Sequence, residues 1–85
     1  MFQIEFSNKA EKFLKKSDKI IISSILEKIE KLKENSVPND AKFIGRHKED
    51  KVFRVRVGDY RVLYKLKENE KFILISDIDK RSRIY

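Results

Sequence analysis

Residues 52–64 read Val-Phe-Arg-Val-Arg-Val-Gly-Asp-Tyr-Arg-Val-Leu-Tyr, and this stretch decides the fold. Apolar residues alternate with other types on either side of Gly58-Asp59, the period of two strands that each bury one face. Gly-Asp marks a two-residue hairpin turn, because glycine enters the positive-φ region of a primed turn without a Cβ penalty. Such a turn fixes the register, so Val57 meets Tyr60, Arg56 meets Arg61, Val55 meets Val62, Arg54 meets Leu63 and Phe53 meets Tyr64. Phe53, Val55, Val57, Tyr60, Val62 and Tyr64 then share one face, while Arg54, Arg56 and Arg61 share the other. Like charges directly opposite across a strand pair are destabilising, so three co-facial arginines point to an anionic ligand rather than to stability.

Outward from the hairpin, Lys67 to Glu70 is a polar connection to a further strand over Phe72 to Ile78. Phe72, Leu74 and Ile78 are expected on one face of that strand and Ile73 and Ile75 on the other, which makes it a central strand. At the N-terminal end, Phe2, Ile4 and Phe6 alternate with polar residues, and Ser7 is placed to cap a helix whose apolar stripe is Ala10, Phe13 and Leu14. Ser17 or Asp18 caps a second helix, with Ile22, Ile25, Leu26, Ile29 and Leu32 at three- and four-residue spacing. Asn35 to Asp40, around Pro38, forms a loop, and a charged loop carrying His47 leads into the hairpin. The expected architecture is α+β in the order β-α-α-β-β-β: a helical hairpin on one face of a four-stranded, mainly antiparallel sheet, in a single domain over residues 1–85.

Composition bounds the function. The chain has 85 residues, 21 Lys and Arg against 14 Asp and Glu, and a net charge of +7. Such a domain holds one modest core and no large enclosed cofactor cavity. The absence of cysteine excludes disulfides, thiolate nucleophiles and Cys-based zinc sites, and a single histidine excludes a His-rich metal cluster. Ile20-Ile21-Ile22 and the other apolar runs fall far short of a membrane span, and the N-terminus has no secretory pattern, so a cytoplasmic location is expected. Residues 1–42 carry +2 of the charge and 43–85 carry +5, and every arginine lies in the second half. Arginine's planar fork of donors suits phosphate, which points to a nucleic-acid surface there. The run Asp79-Lys80-Arg81-Ser82-Arg83-Ile84-Tyr85 adds two arginines and an aromatic ring on which a base can stack. Taken alone, Arg81 reads as an ion-pair partner for Asp77 or Asp79, Tyr85 as a frayed end and His47 as a solvated loop residue.

Residues 52–64 together with 79–85 resemble the RelE/ParE toxin superfamily, and the RelE-like branch in particular, with length and element order matching across nearly the whole chain. The resemblance implies a RelE-like microbial RNase fold and the toxin component of a type II toxin-antitoxin module. It implies a ribosome-dependent messenger RNA endoribonuclease that acts in the A site by attack of a 2′-OH on the adjacent phosphate, with no metal or other cofactor. It also implies a RelB-like cognate antitoxin and a heterotetrameric toxin-antitoxin complex. ParE-like members share the fold but inhibit DNA gyrase without nuclease activity, and that is the alternative. Carried over residue by residue, the catalytic set is Arg54, Arg56, Arg61, Arg81 and Tyr85, with Arg83 interchangeable with Arg81 on spacing. Lys51, Arg83, Lys65 and Arg46 are the implied RNA-binding residues. RelE enzymes often carry lysines where Arg54 and Arg56 stand, and arginine is a poor proton acceptor. Proton transfer is thus open between Lys51, Lys65, His47, and the phosphate with ribosomal groups.

Overall fold

Ser7 joins the first strand, β1 (Gln3–Phe6), to the first helix, α1 (Asn8–Lys16), in the computed structural model, which describes residues 1–80. Its hydroxyl accepts from the Ala10 N–H at 3.1 Å and donates to the Ser76 carbonyl at 2.9 Å, so one side chain caps the helix and ties it to the sheet. Asp18, the alternative to Ser17, caps α2 (Lys19–Leu32) by accepting from the Ile21 N–H. Ile25, Ile29 and Leu32 are buried and Ile21 packs beside them. The expected stripe is therefore rotated: Leu26 is 39% exposed, and Ile21 stands where Ile22 was expected.

The remaining elements are β2 (Lys42–His47), β3 (Asp50–Val57), β4 (Tyr60–Lys67) and β5 (Phe72–Lys80). They form one five-stranded sheet in the order β1-β5-β4-β3-β2, with β1 parallel to β5 and the other pairs antiparallel. The class is the expected α+β, with one strand more than the four expected. The addition, β2, occupies the stretch expected to be a charged loop, and His47 ends a strand instead. Two local features hide it. A bulge between Phe43 and Gly45 breaks the alternation of its apolar residues. Its turn also places Lys48 at φ 60, where glycine or asparagine would have signalled a hairpin.

The β3–β4 register is the expected one at all five pairs, and Gly58 adopts φ 58 in the turn. β5 is central, between β1 and β4, but its faces differ from the simple alternation. Tyr64 pairs with Ile75 whereas Leu63 pairs with Asp77, so Ser76 is an extra residue that reverses the parity of residues 77–80. Ile78 consequently joins Ile73 and Ile75 in the core, and Asp77 and Asp79 turn to the face that the arginines occupy.

Both helices cover the same face. Ala10, Ile25, Ile29 and Leu32 pack with Phe53, Val55, Val62, Tyr64, Leu66, Ile73, Ile75 and Ile78. Tyr64 is fully buried and stacks on Phe53, and its hydroxyl donates to the Ser36 carbonyl at 2.7 Å. Burial pushes that hydroxyl above its ordinary pKa, and the bond fastens the loop after α2 to the sheet. Among the described residues no helix is long and apolar enough to cross a membrane. Among the described residues the opposite sheet face carries no helix, and it is there that Arg54, Arg56 and Arg61 project.

Candidate functional site

Strand pairing arranges the helix-free face in rows. Nearest the Gly58 turn lie Arg56, Arg61 and Asp79, and the next row is Lys42, Arg54, Leu63 and Asp77. A third row holds Gly45, Val52, Lys65 and Leu74, and a fourth His47, Asp50, Lys67 and Phe72. Arg54, Arg56 and Arg61 therefore fall within two adjacent rows, at graded depth: Arg56 is exposed, Arg54 half-buried, and Arg61 only 7% exposed.

Among the described residues, the acids of this face make no ion pair with Arg54 or Arg56. Asp77, in the Arg54 row, is held by Lys9 of α1 at 3.2 Å. Asp50 is held by Lys67 at 2.9 Å, and that hydrogen bond raises the lysine's pKa. The Arg54 Nε is moreover buried without a hydrogen-bond partner among the described residues. A buried donor left unmade costs about 1–3 kcal/mol, and more when charged, so native structures rarely keep one that nothing will use.

Of the other candidates, Lys65 lies on the same face, its Nζ 3.0 Å from the His47 Nδ1. Lys51 and Arg46 do not join it. They pair with each other in register, with Lys51 on the parity of Phe53, so they project to the helix side of the sheet. There the Lys51 Nζ lies 3.8 Å from a Glu68 carboxylate, and Arg46 donates to the Glu49 carbonyl at 3.3 Å. Arg81, Arg83 and Tyr85 lie outside the described residues. Lys42 escaped the sequence reading: it is the register partner of Arg54, which only the presence of β2 makes visible. His47 reaches the face by the same strand rather than from a loop.

Chemically, the two arginine rows supply N–H donors and fixed positive charge, with no proton acceptor among the guanidinium groups. Such a cluster stabilises a phosphate that is gaining negative charge, and it does not abstract a proton. Among the described residues no group of three His, Asp or Glu side chains is placed to hold a metal ion.

Comparison with known proteins gives concordant findings. Residues 4–85 match the family model described as the ParE toxin of the type II toxin-antitoxin system parDE. The RelE1 protein of Methanocaldococcus jannaschii is 34% identical over 85 residues, which is 99% of this chain and 94% of that one. The archaeal RelE-RelB complex from Pyrococcus horikoshii contains a chain of the same fold, with a TM-score of 0.85 at 26% identity over 96% of this chain and 97% of that one. The intact Escherichia coli RelBE toxin-antitoxin complex gives a TM-score of 0.76 over 94% of this chain and 96% of its own, and at 16% identity that likeness is one of fold.

Proposed function

The chain belongs to the RelE/ParE toxin superfamily of type II toxin-antitoxin modules and is RelE-like within it, and on that premise we propose that it cleaves messenger RNA in the ribosomal A site. The 2′-oxygen of one nucleotide attacks the adjacent phosphorus and the bond to the 5′-oxygen breaks. The products are a 2′,3′-cyclic phosphate and a free 5′-OH, with one proton leaving the attacking hydroxyl and one delivered to the leaving oxygen. The observation that carries the reading is the pair of arginine rows, in which Arg54 and Arg56 have no ion-pair partner among the described residues and Arg54 keeps an unused buried donor. Negative charge grows on the phosphoryl oxygens as the pentacoordinate transition state forms, and donors fixed beforehand favour that state over the ground state.

In this reading Arg54, Arg56 and Arg61 hold the scissile phosphate. Arg81 or Arg83 and Tyr85 complete the site, the tyrosine by stacking on or orienting a base. The guanidinium groups leave proton transfer to Lys65, His47 or ribosomal groups, since Lys51 projects from the other face. A RelB-type antitoxin, the partner in the neighbouring RelE-RelB complexes, would silence the protein by covering the same arginines with acidic and apolar side chains.

A second reading rests on the matching family model, which is of ParE toxins: inhibition of DNA gyrase by protein contact, without phosphodiester chemistry. Purified protein added to a translating system separates the two. Codon-phased cuts in the message, mapped by primer extension, are the expected outcome. Intact message together with accumulating gyrase-dependent DNA breaks would replace the RNase reading with the gyrase one.

A further inference from the structure

Two unmade hydrogen bonds of opposite kind lie in one row of the helix-free face. The Arg54 Nε is a buried donor and the Asp77 Oδ1 a buried acceptor, each without a partner among the described residues, and Leu63 is the register partner of both residues. Their backbones are thus two strand spacings apart, about 10 Å, a gap that an arginine and an aspartate side chain span when they meet over the leucine. A carboxylate offers a guanidinium fork the same paired acceptors as a phosphate. Asp77 is therefore a built-in rival for any phosphate brought to Arg54, yet the two make no ion pair.

What keeps them apart comes from α1. The pairing of β1 with β5 ends at Ile75, so the outer edge of β5 beyond that residue is left to the start of the helix. The Ser7 N–H donates to the Ile75 carbonyl and the Ser7 hydroxyl to the Ser76 carbonyl, both at 2.9 Å. On the other side the Ser76 hydroxyl donates to the Leu63 carbonyl at 3.1 Å. These bonds hold the bulge that turns Asp77 to the arginine face. Two residues after Ser7, the exposed Lys9 reaches round the same edge and sets its Nζ 3.2 Å from the Asp77 Oδ2. It approaches from the β1 side of β5, whereas Arg54 stands beyond β4 on the other side. Among the described residues it is the one cation within ion-pair distance of Asp77.

We propose that Lys9 is a positioning residue for the phosphate site: its charge holds the Asp77 carboxylate at the outer edge of β5 and so keeps Arg54 open to a phosphate. Without that charge Asp77 swings over Leu63 and occupies the Arg54 fork itself. The proposal rests on the reading of the arginine rows as holders of a phosphate, and it adds to them a residue of the helix layer that never touches the substrate. An exposed ion pair contributes little to stability, so the role of Lys9 separates from folding.

The test is a double-variant cycle on purified protein, with a 2′-O-methyl dinucleotide as an uncleavable single-phosphate probe and binding read by calorimetry at low salt. Lys9→Gln should weaken binding about tenfold, the loss of one charge-assisted hydrogen bond, with little change in the melting midpoint. Lys9→Arg, which keeps the charge, should restore affinity. In an Asp77→Asn background no anion competes, and there Lys9→Gln should change affinity by less than about twofold. The Arg54 Nε–H signal in NMR spectra should shift in Lys9→Gln and return in the double variant. An equal loss in both backgrounds makes Lys9 a distant charge only and overturns the proposal, as does unchanged affinity in Lys9→Gln. Cleavage on translating ribosomes is scored separately. Cuts by the wild-type protein beside such a result leave the RNase reading standing, whereas a wild-type protein that binds the dinucleotide and cuts no message refutes that reading and leaves the role of Lys9 intact. No binding by the wild-type protein removes the phosphate site on which both stand.

Discussion

Arg54→Met separates function from stability at one position. Arg54 stands opposite Lys42 and one step along or diagonal from Arg56 and Arg61. Two unit charges about 7 Å apart in water repel by about 0.6 kcal/mol, and a screening length of about 8 Å in physiological salt cuts that by roughly half. Four such neighbours, Lys65 on the other diagonal included, together destabilise the folded state by about 1 kcal/mol. The buried, unpartnered Nε adds about 1 kcal/mol more at the low end of the usual penalty. Methionine keeps an unbranched stem of similar reach on the sheet but removes the charge and the idle donor. Lost contacts of the guanidinium head offset part of the gain, leaving Arg54→Met about 1 kcal/mol more stable, a rise in melting midpoint of roughly 4–8 °C. Loss of a donor aimed at a transition-state oxygen lowers turnover by about 10²–10³. Circular dichroism melts and timed cleavage of message on translating ribosomes read the two quantities from one preparation. A lower midpoint would refute the account of Arg54 as a residue kept against stability, and undiminished cleavage would refute its place in the site.

Three further outcomes rest on the fold. A Cβ at Gly58 would meet nothing within 4 Å, so Gly58→Ala isolates the cost of φ 58: unfolding in urea should show about 1–2 kcal/mol of lost stability, and an unchanged midpoint would mean that the turn relaxes. Tyr64→Phe leaves the ring packing and removes the hydroxyl that donates to the Ser36 carbonyl; a loss of about 1–2 kcal/mol is expected, and a neutral effect would show that water replaces the bond. A hydrogen bond from Lys28 holds the half-exposed Asp40 carboxyl below its ordinary pKa. The folded state therefore binds this proton less readily than the unfolded chain: the contribution is complete above about pH 4 and lost as pH falls through the folded value. Asp40→Asn should flatten the acid limb of a stability-against-pH profile, and an unaltered limb would assign acid sensitivity elsewhere.

Local rules made part of the fold legible in the sequence. A two-residue turn and strict alternation fix the β3–β4 hairpin without reference to the rest of the chain, so the arginine face could be read from residues 53–64 alone. Ser7 and Asp18 are visible caps because their chemistry is local. The strand β2 was hidden because a bulge and a lysine at positive φ replace the usual signals, and the surrounding sheet enforces a turn that local preference disfavours. The parity change at Ser76 likewise depends on pairing with β4. The near burial of Arg61 and the contact between His47 and Lys65 were beyond local rules, since each requires the order in which distant strands are laid side by side.

The parallel pairing of β1 with β5 bears on when the protein comes into being. Gln3 waits for Phe72, 69 residues downstream, and at common synthesis rates that interval lasts roughly 3–14 s. Until residues 72–75 have been translated, the first strand has no neighbour and the sheet cannot close. The hairpin that carries the arginines is therefore synthesised before the sheet that holds it in place can close.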